Sequence, residues 1–281
     1  MKKLVIFLCM LICASVRCFY NVNAESECVF LTTVMYHNIL NSKTGTYIIS
    51  ETQLDNDLYC YKKLGYNFVS PSEVISYAEG KTKLPQKPLL ITFDDGHYNN
   101  LYYGLPLLIK HNAKACFNII GKFSETSSTN GDDSNPNYSH LTWAQIRTLS
   151  KSNLVEIGSH TYNMHNYSPR FGVGQIHGES DIDYRNALKK DIAQITNKLY
   201  DCTGKRPVTF AYPFGKYSDI AKEELLKSGY KMMLTCNEGI SKIYFGDPKS
   251  IYYIKRYNRS GLISTQEFTQ KLQTAYNKVV S

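Results

Sequence analysis

The amino-acid sequence predicts an α/β fold built on a mainly parallel sheet, open or closed into a barrel. Three observations carry that expectation: short β-branched apolar runs recur along the chain, helically spaced apolar residues separate them, and polar residues cluster where the runs end. The first run, residues 29–35 (VFLTTVM), delivers Tyr36 and His37. Residues 51–64 then place Leu54, Leu58 and Tyr61 on one helical face and stop at Gly65. The strand at 88–93 (PLLITF) is followed at once by Asp94-Asp95-Gly96. A helix closes over 107–111, 115–120 (ACFNII) is a strand, Thr142 heads a helix through 149, and the strand at 154–157 runs into Gly158-Ser159-His160. A longer helix at 184–200 ends before Gly204, 208–211 is a strand, 218–228 is a helix ending at Gly229, and 251–256 is a late strand. The stretch 124–139 is polar and turn-rich and reads as a solvated loop. In parallel sheets, sites gather at the C-terminal ends of strands, and those ends carry Tyr36-His37, Asp94-Asp95, His160 and Tyr212-Pro213-Phe214-Gly215.

The first 24 residues read as a secretory signal peptide. Lys2 and Lys3 precede an apolar core at 4–16, and Val22-Asn23-Ala24 offers a small-residue cleavage site. That core is shorter than the roughly 18–20 residues of a spanning helix, which weighs against the competing reading of an uncleaved anchor. Residues 25–281 suit one domain, and a secreted or cell-surface location is expected. The chain carries a formal charge of +8, but Lys2, Lys3 and Arg17 fall in the leader and no acid does, so the remainder is only mildly basic. Without a Lys/Arg block, this suits an anionic wall or matrix and argues against a nucleic-acid partner; no nucleotide cofactor is expected either. Five of the eight cysteines lie beyond the leader: Cys28, Cys60, Cys116, Cys202 and Cys236. Their odd number and wide spacing argue against a zinc ribbon or disulfide framework and read as buried thiols, with one bridge left open.

Three short stretches carry chemistry. Adjacent aspartates after a buried strand are costly unless paired or bound to metal, and Gly96 permits a turn that brings both carboxylates into one pocket. Alone, the pair reads equally as a turn that caps the next helix. His160 and His165 follow the next strand end; two imidazoles and one carboxylate make a three-ligand metal site with an open position, whereas separately they read as a loop histidine and a core histidine. The third stretch, 206–215 (RPVTFAYPFG), is a strand running into an aromatic turn. Their occurrence in order, each at a strand end, is what favours a site.

With these residues in place, the sequence resembles the polysaccharide deacetylases of carbohydrate esterase family 4, related to the nodulation-factor deacetylase. The matching residues are Thr92-Phe-Asp-Asp-Gly96, Ile157-Gly-Ser-His-Thr161 with His165, and Phe210-Ala-Tyr-Pro-Phe-Gly215, and the resemblance spans residues 29–256. The five-residue histidine spacing and the early Met35-Tyr-His-Asn38 look more like the branch that deacetylates poly-β-1,6-N-acetylglucosamine than the peptidoglycan or chitin branches. The resemblance implies a distorted (β/α) barrel of mainly parallel strands that hydrolyses N-acetyl groups of an N-acetylated polysaccharide. It makes Asp95, His160 and His165 ligands of a divalent metal, usually zinc, and Asp94 the general base. It places His37 as general acid, since no histidine follows His177, and the Phe214 N–H as oxyanion donor. Ala211 stands where many members carry an arginine that orients the catalytic aspartate; Arg256 is the expected replacement, with Arg206 the alternative. Among the many tyrosines, Tyr212 is the expected sugar-stacking residue, while His97, His111, His140 and His177 are expected at caps or in solvent. Two rival readings remain: a metal-free hydrolase of small amides, which a metal assay separates, and a silent carbohydrate-binding protein, which has no need of Asp94.

Overall fold

The computed structural model describes residues 27–131 and 134–281. The leader assigned from sequence lies outside the described residues. Among the described residues, no helix is long and apolar enough to cross a membrane.

The strands, in chain order, are β1 (Cys28–Tyr36), β2 (Asn38–Ile39), β3 (Ile48–Ile49), β4 (Asn67–Phe68), β5 (Pro88–Phe93), β6 (Ala115–Ile119), β7 (Val155–Ser159), β8 (Thr209–Ala211), β9 (Met232–Leu234), β10 (Ser241–Tyr244) and β11 (Tyr257–Asn258). The main sheet runs β10-β1-β5-β6-β7-β8-β9, parallel throughout except for the antiparallel β10. It curls, and residues 254–258 bridge β9 at one end to β1 near the other. Leu234 bridges Ile254 on one side, while Val34 and Met35 pair with Tyr257 and Asn258 on the other. The sheet is therefore a distorted barrel, as expected from the alternation of strands and helices.

Helices Glu51–Lys63, Pro71–Ala78, Trp143–Leu149 and Thr265–Val280 each start at a reciprocal cap. Ser50 with Gln53, Ser70 with Glu73, Thr142 with Gln145 and Ser264 with Glu267 satisfy one another's backbone donors. These starts are written locally, so helix positions follow from sequence independently of the barrel. The barrel itself is filled by apolar strand residues such as Val34, Leu89, Ile91, Phe93 and Phe117, all with no exposed surface.

Two sequence-based elements need correction. The stretch 124–139 is not all loop: Gly121–Asn130 is helical. Thr126, Ser128 and Thr129 turn their hydroxyls back onto carbonyls four residues earlier, so residues that usually mark turns are absorbed into the helix. The late strand at 251–256 is also absent; Pro248–Ile251 is a 3₁₀ turn, and only Ile254 makes a bridge before β11. The five cysteines of the described residues are free thiols.

Candidate active site

Three loops at the C-terminal ends of β5, β7 and β8 meet in one cleft of about 530 Å³. Each contains a non-glycine residue in the left-handed region: Asp95 (φ 71°), Thr161 (φ 74°) and Phe214 (φ 57°). Such conformations cost about 1 kcal/mol or more each and persist where the surroundings over-determine them. Their concentration here shows that the loops are bent to aim side chains. At the first loop the bend falls on Asp95 as well as on Gly96, which was the residue expected to supply it.

Asp94 is 1% exposed and is gripped from two directions. Arg256 Nη1 donates to its Oδ1 (2.9 Å) and Nη2 reaches Oδ2 (2.8 Å), while the Asn118 amide donates to Oδ1 (2.7 Å). Arg256, itself with no exposed surface, is fixed by donating to the Thr235 carbonyl and to Thr92 Oγ1. Burial alone would raise the Asp94 carboxyl; the charges of Arg256 and its neighbours outweigh it and hold the group down at about 2. Arg206 lies elsewhere, over the Tyr200 ring. The placement of Arg256 follows from barrel closure, since it sits within the segment that joins β9 to β1.

Asp95, His160 and His165 converge beside Asp94. His160 Nε2 and His165 Nε2 stand 3.5 and 3.6 Å from Asp95 Oδ1, and the three ligand atoms lie within 4.8 Å of one another. A tetrahedral ion with ligand distances of about 2.0–2.2 Å separates its ligand atoms by roughly 3.4 Å. The donor set also fits in its electronics. His160 Nδ1–H donates to the Ala211 carbonyl (2.7 Å), which leaves the Nε2 lone pair facing the carboxylate, and Asp95 Oδ1 is buried without a hydrogen-bond donor. Burial works to raise the Asp95 carboxyl but is overcome by His97, His37 and His160, which keep it well below the usual range. His165 is returned to the pocket by a loop whose Tyr162 and Asn163 N–H groups are both held by Asp191.

His37 lines the same cleft, edge-on to the exposed Tyr47 ring (4.8 Å), with Nδ1 buried and unpartnered. Burial lowers its pKa, against the pull of Asp95 and Asp94. Phe214 forms part of the floor, its ring 4.4 Å from that of His165. Tyr212, expected from sequence to stack on sugar, does not line the cleft. It has no exposed surface and packs against Phe210, two residues earlier on the same face of the strand.

Two polar residues of the site were not singled out from sequence. His97 was expected in solvent or at a cap; instead it lines the cleft 3.5 Å from Asp95 Oδ2 and accepts from the Asn38 amide (2.9 Å). Asn118 is the lone polar side chain in the run ACFNII, and that isolation was its available signal. Gly158 explains how Asn118 fits: a Cβ there would lie 2.3 Å from Asn118 Oδ1 and 3.0 Å from Cys116 Sγ.

Fold and site together define a class: curled, mostly parallel α/β proteins with a one-carboxylate, two-imidazole pocket at the sheet's C-terminal end. Within that class, the chain belongs to the polysaccharide deacetylase family, whose model matches residues 81–233. That match includes Asp94, Asp95, His160, His165 and Phe214, whereas His37 and Arg256 fall outside it. The poly-beta-1,6-N-acetyl-D-glucosamine N-deacetylase of Escherichia coli K12 is 26% identical over 265 residues, 87% of this chain but 39% of that protein. The protein of the same description from Staphylococcus aureus MRSA252 is 26% identical over 243 residues, covering 82% of this chain and 78% of its own. Among solved structures, a de-N-acetylase from Aggregatibacter actinomycetemcomitans superposes with a TM-score of 0.71 at 25% identity, covering 84% of this chain and 96% of that one. IcaB from Ammonifex degensii gives 0.70 at 24% identity, covering 88% and 97%, and shows the shared fold.

Proposed function

We propose that this protein is a secreted, metal-dependent N-deacetylase that releases acetate from N-acetylglucosamine polymers, with the β-1,6-linked polymer as preferred substrate. The observation that carries this reading is the juxtaposition of two differently used carboxylates. Asp94 is ionised and clamped by Arg256, while its neighbour Asp95 faces two imidazole nitrogens with an unsatisfied oxygen. The names carried by the Escherichia coli and Staphylococcus aureus relatives support the substrate class.

Asp95, His160 and His165 would hold the ion. A divalent metal there supplies polarisation of the acetamide carbonyl and acidification of water to a usable pKa near neutrality. The remaining work falls to the chain. Asp94 takes the proton of the attacking water; Arg256 and Asn118 fix the carboxylate through two bonds to Oδ1 and one to Oδ2, which leaves Oδ2 with acceptor capacity to spare. The Phe214 N–H, set by its left-handed conformation, is assigned to the oxyanion, and His37 to proton delivery at the departing nitrogen. The products are acetate and a free amine.

The test is acetate release by residues 25–281 from β-1,6- and β-1,4-linked N-acetylglucosamine oligomers, with and without chelator. Chelator-sensitive release that is faster on the β-1,6 oligomer is expected. Equal rates on both linkages would remove the substrate preference, and release that survives thorough chelation would remove the metal.

A further inference from the structure

Beside the metal pocket, three aromatic rings, Tyr167, Phe171 and Phe214, form a contiguous cluster whose rings have no part in the proposed chemistry. Phe214 packs against both Tyr167 and Phe171, with ring centroids at 4.5 and 4.9 Å and interplanar angles of 28° and 13°, and those two rings meet each other at 5.9 Å. Phe214 and Tyr167 line the cleft. The outer rings face solvent: Tyr167 is 76% and Phe171 44% exposed. Single exposed aromatics need no explanation, but a stacked apolar surface continuous with a cleft does.

The stack is built to be rigid. Arg170 donates to the Gly174 carbonyl (2.6 Å) and pairs with both oxygens of Glu179 (2.5 and 3.0 Å), while the Gly172 N–H reaches the Asn166 carbonyl (3.0 Å). Gly172 (φ 56°) allows this loop to lie on the Tyr-Pro-Phe-Gly turn; a Cβ there would come within 2.8 Å of the Pro213 carbonyl oxygen. The rings are thus held in position before any ligand arrives, which removes the cost of ordering them.

We infer that Tyr167 and Phe171, stacked on Phe214, form a platform for a sugar ring next to the one being deacetylated, and so set the preference for polymer over short substrate. The occupant is a hexosamine unit of the same chain, because the platform continues the floor that ends at His165. The C–H face of a pyranose is apolar and suits an aromatic face, while the ring hydroxyls stay in water. This inference rests on the deacetylase reading above.

The experiment compares kcat/KM of metal-replete wild type, Tyr167→Ala, Phe171→Ala, the double variant and Tyr167→Phe on β-1,6-linked N-acetylglucosamine dimer and pentamer. Wild type is expected to favour the pentamer. The double variant is expected to lose roughly tenfold of that advantage through KM, each single Ala variant part of it, and Tyr167→Phe to keep it. A double variant with an undiminished pentamer advantage and an unchanged melting temperature overturns the platform and leaves the deacetylase reading intact. Wild type that neither releases acetate from any oligomer nor binds one by calorimetry overturns both.

Discussion

Two buried arginine–aspartate pairs sit three residues apart on one segment, and they are finished differently. Arg259 donates Nε to Asp57 Oδ2 (2.7 Å) and Nη2 to Oδ1 (3.1 Å); Thr265 adds a bond to Oδ1 (2.6 Å) and Tyr36 one to Oδ2 (3.0 Å). Each oxygen of Asp57 accepts two bonds, and its residue has no exposed surface. In the other pair, Asp94 Oδ1 accepts from Arg256 and Asn118, whereas Oδ2 takes Arg256 alone and the residue lines the cleft. A saturated carboxylate can only hold elements together, here helices Glu51–Lys63 and Thr265–Val280 against the barrel. One with spare acceptor capacity facing a cleft can take a proton.

Substitution should separate the two roles. The largest effect is expected from Asp94→Asn, which should lower the rate of acetate release by about 10²–10⁴-fold in a direct assay while metal binding persists. A rate within threefold of wild type would deny Asp94 its role as base. Asp57→Asn should do the reverse. It leaves Arg259 buried opposite a neutral group and should cost about 3–5 kcal/mol in urea unfolding, with specific activity per folded molecule retained.

Metal should sharpen the contrast. Zinc at a hundred times its dissociation constant is expected to stabilise the folded protein by about 2.7 kcal/mol, in Asp57→Asn as in wild type, and to leave His165→Ala unmoved in a thermal melt. An equal shift in His165→Ala would place the ion elsewhere.

The smallest effect concerns a third buried acid, Glu224, which is 1% exposed and pairs with Arg185 (2.8 Å) and Lys227 (3.0 Å). Burial raises its carboxyl, but Lys227 and Arg185 outweigh it and bring it below its ordinary 4.5. A lowered folded pKa means the stabilisation is present above the unfolded value and lost as pH falls through the folded one. Wild type should therefore exceed Glu224→Gln in melting temperature at pH 7, and the gap should close as pH drops below 4.5. A gap that widens on acidification would reverse the sign of that shift.

Much of this was legible in the sequence, for identifiable reasons. The strand ends and the Asp-Asp-Gly, His-x4-His and Tyr-Pro-Phe-Gly stretches could be read because glycine, polarity and apolar runs are local signals. The saturated pair was not: Asp57 sits on a helix and Arg259 some two hundred residues later, and neither stands out among ordinary surface charges. Arg256 could be nominated only because Ala211 left a vacancy in the resembling pattern. Its true setting, a segment that is hardly a strand, depends on how the barrel closes. Tyr212 was misplaced although strand alternation already paired its face with that of Phe210. The exposed rings that do border the cleft, Tyr167 and Phe171, lie in a loop with no periodicity to read.

Closure of the barrel has a consequence beyond placing Arg256. A parallel sheet left open presents rows of unpaired N–H and C=O groups on its outermost strands, an invitation to pair with another molecule. Here residues 254–258 cover the exposed side of β9 through Ile254 and one side of β1 through Tyr257 and Asn258, and β10 covers the beginning of β1. The short stretch that carries the arginine thus also covers strand edges that a chain cut before it would leave unpaired.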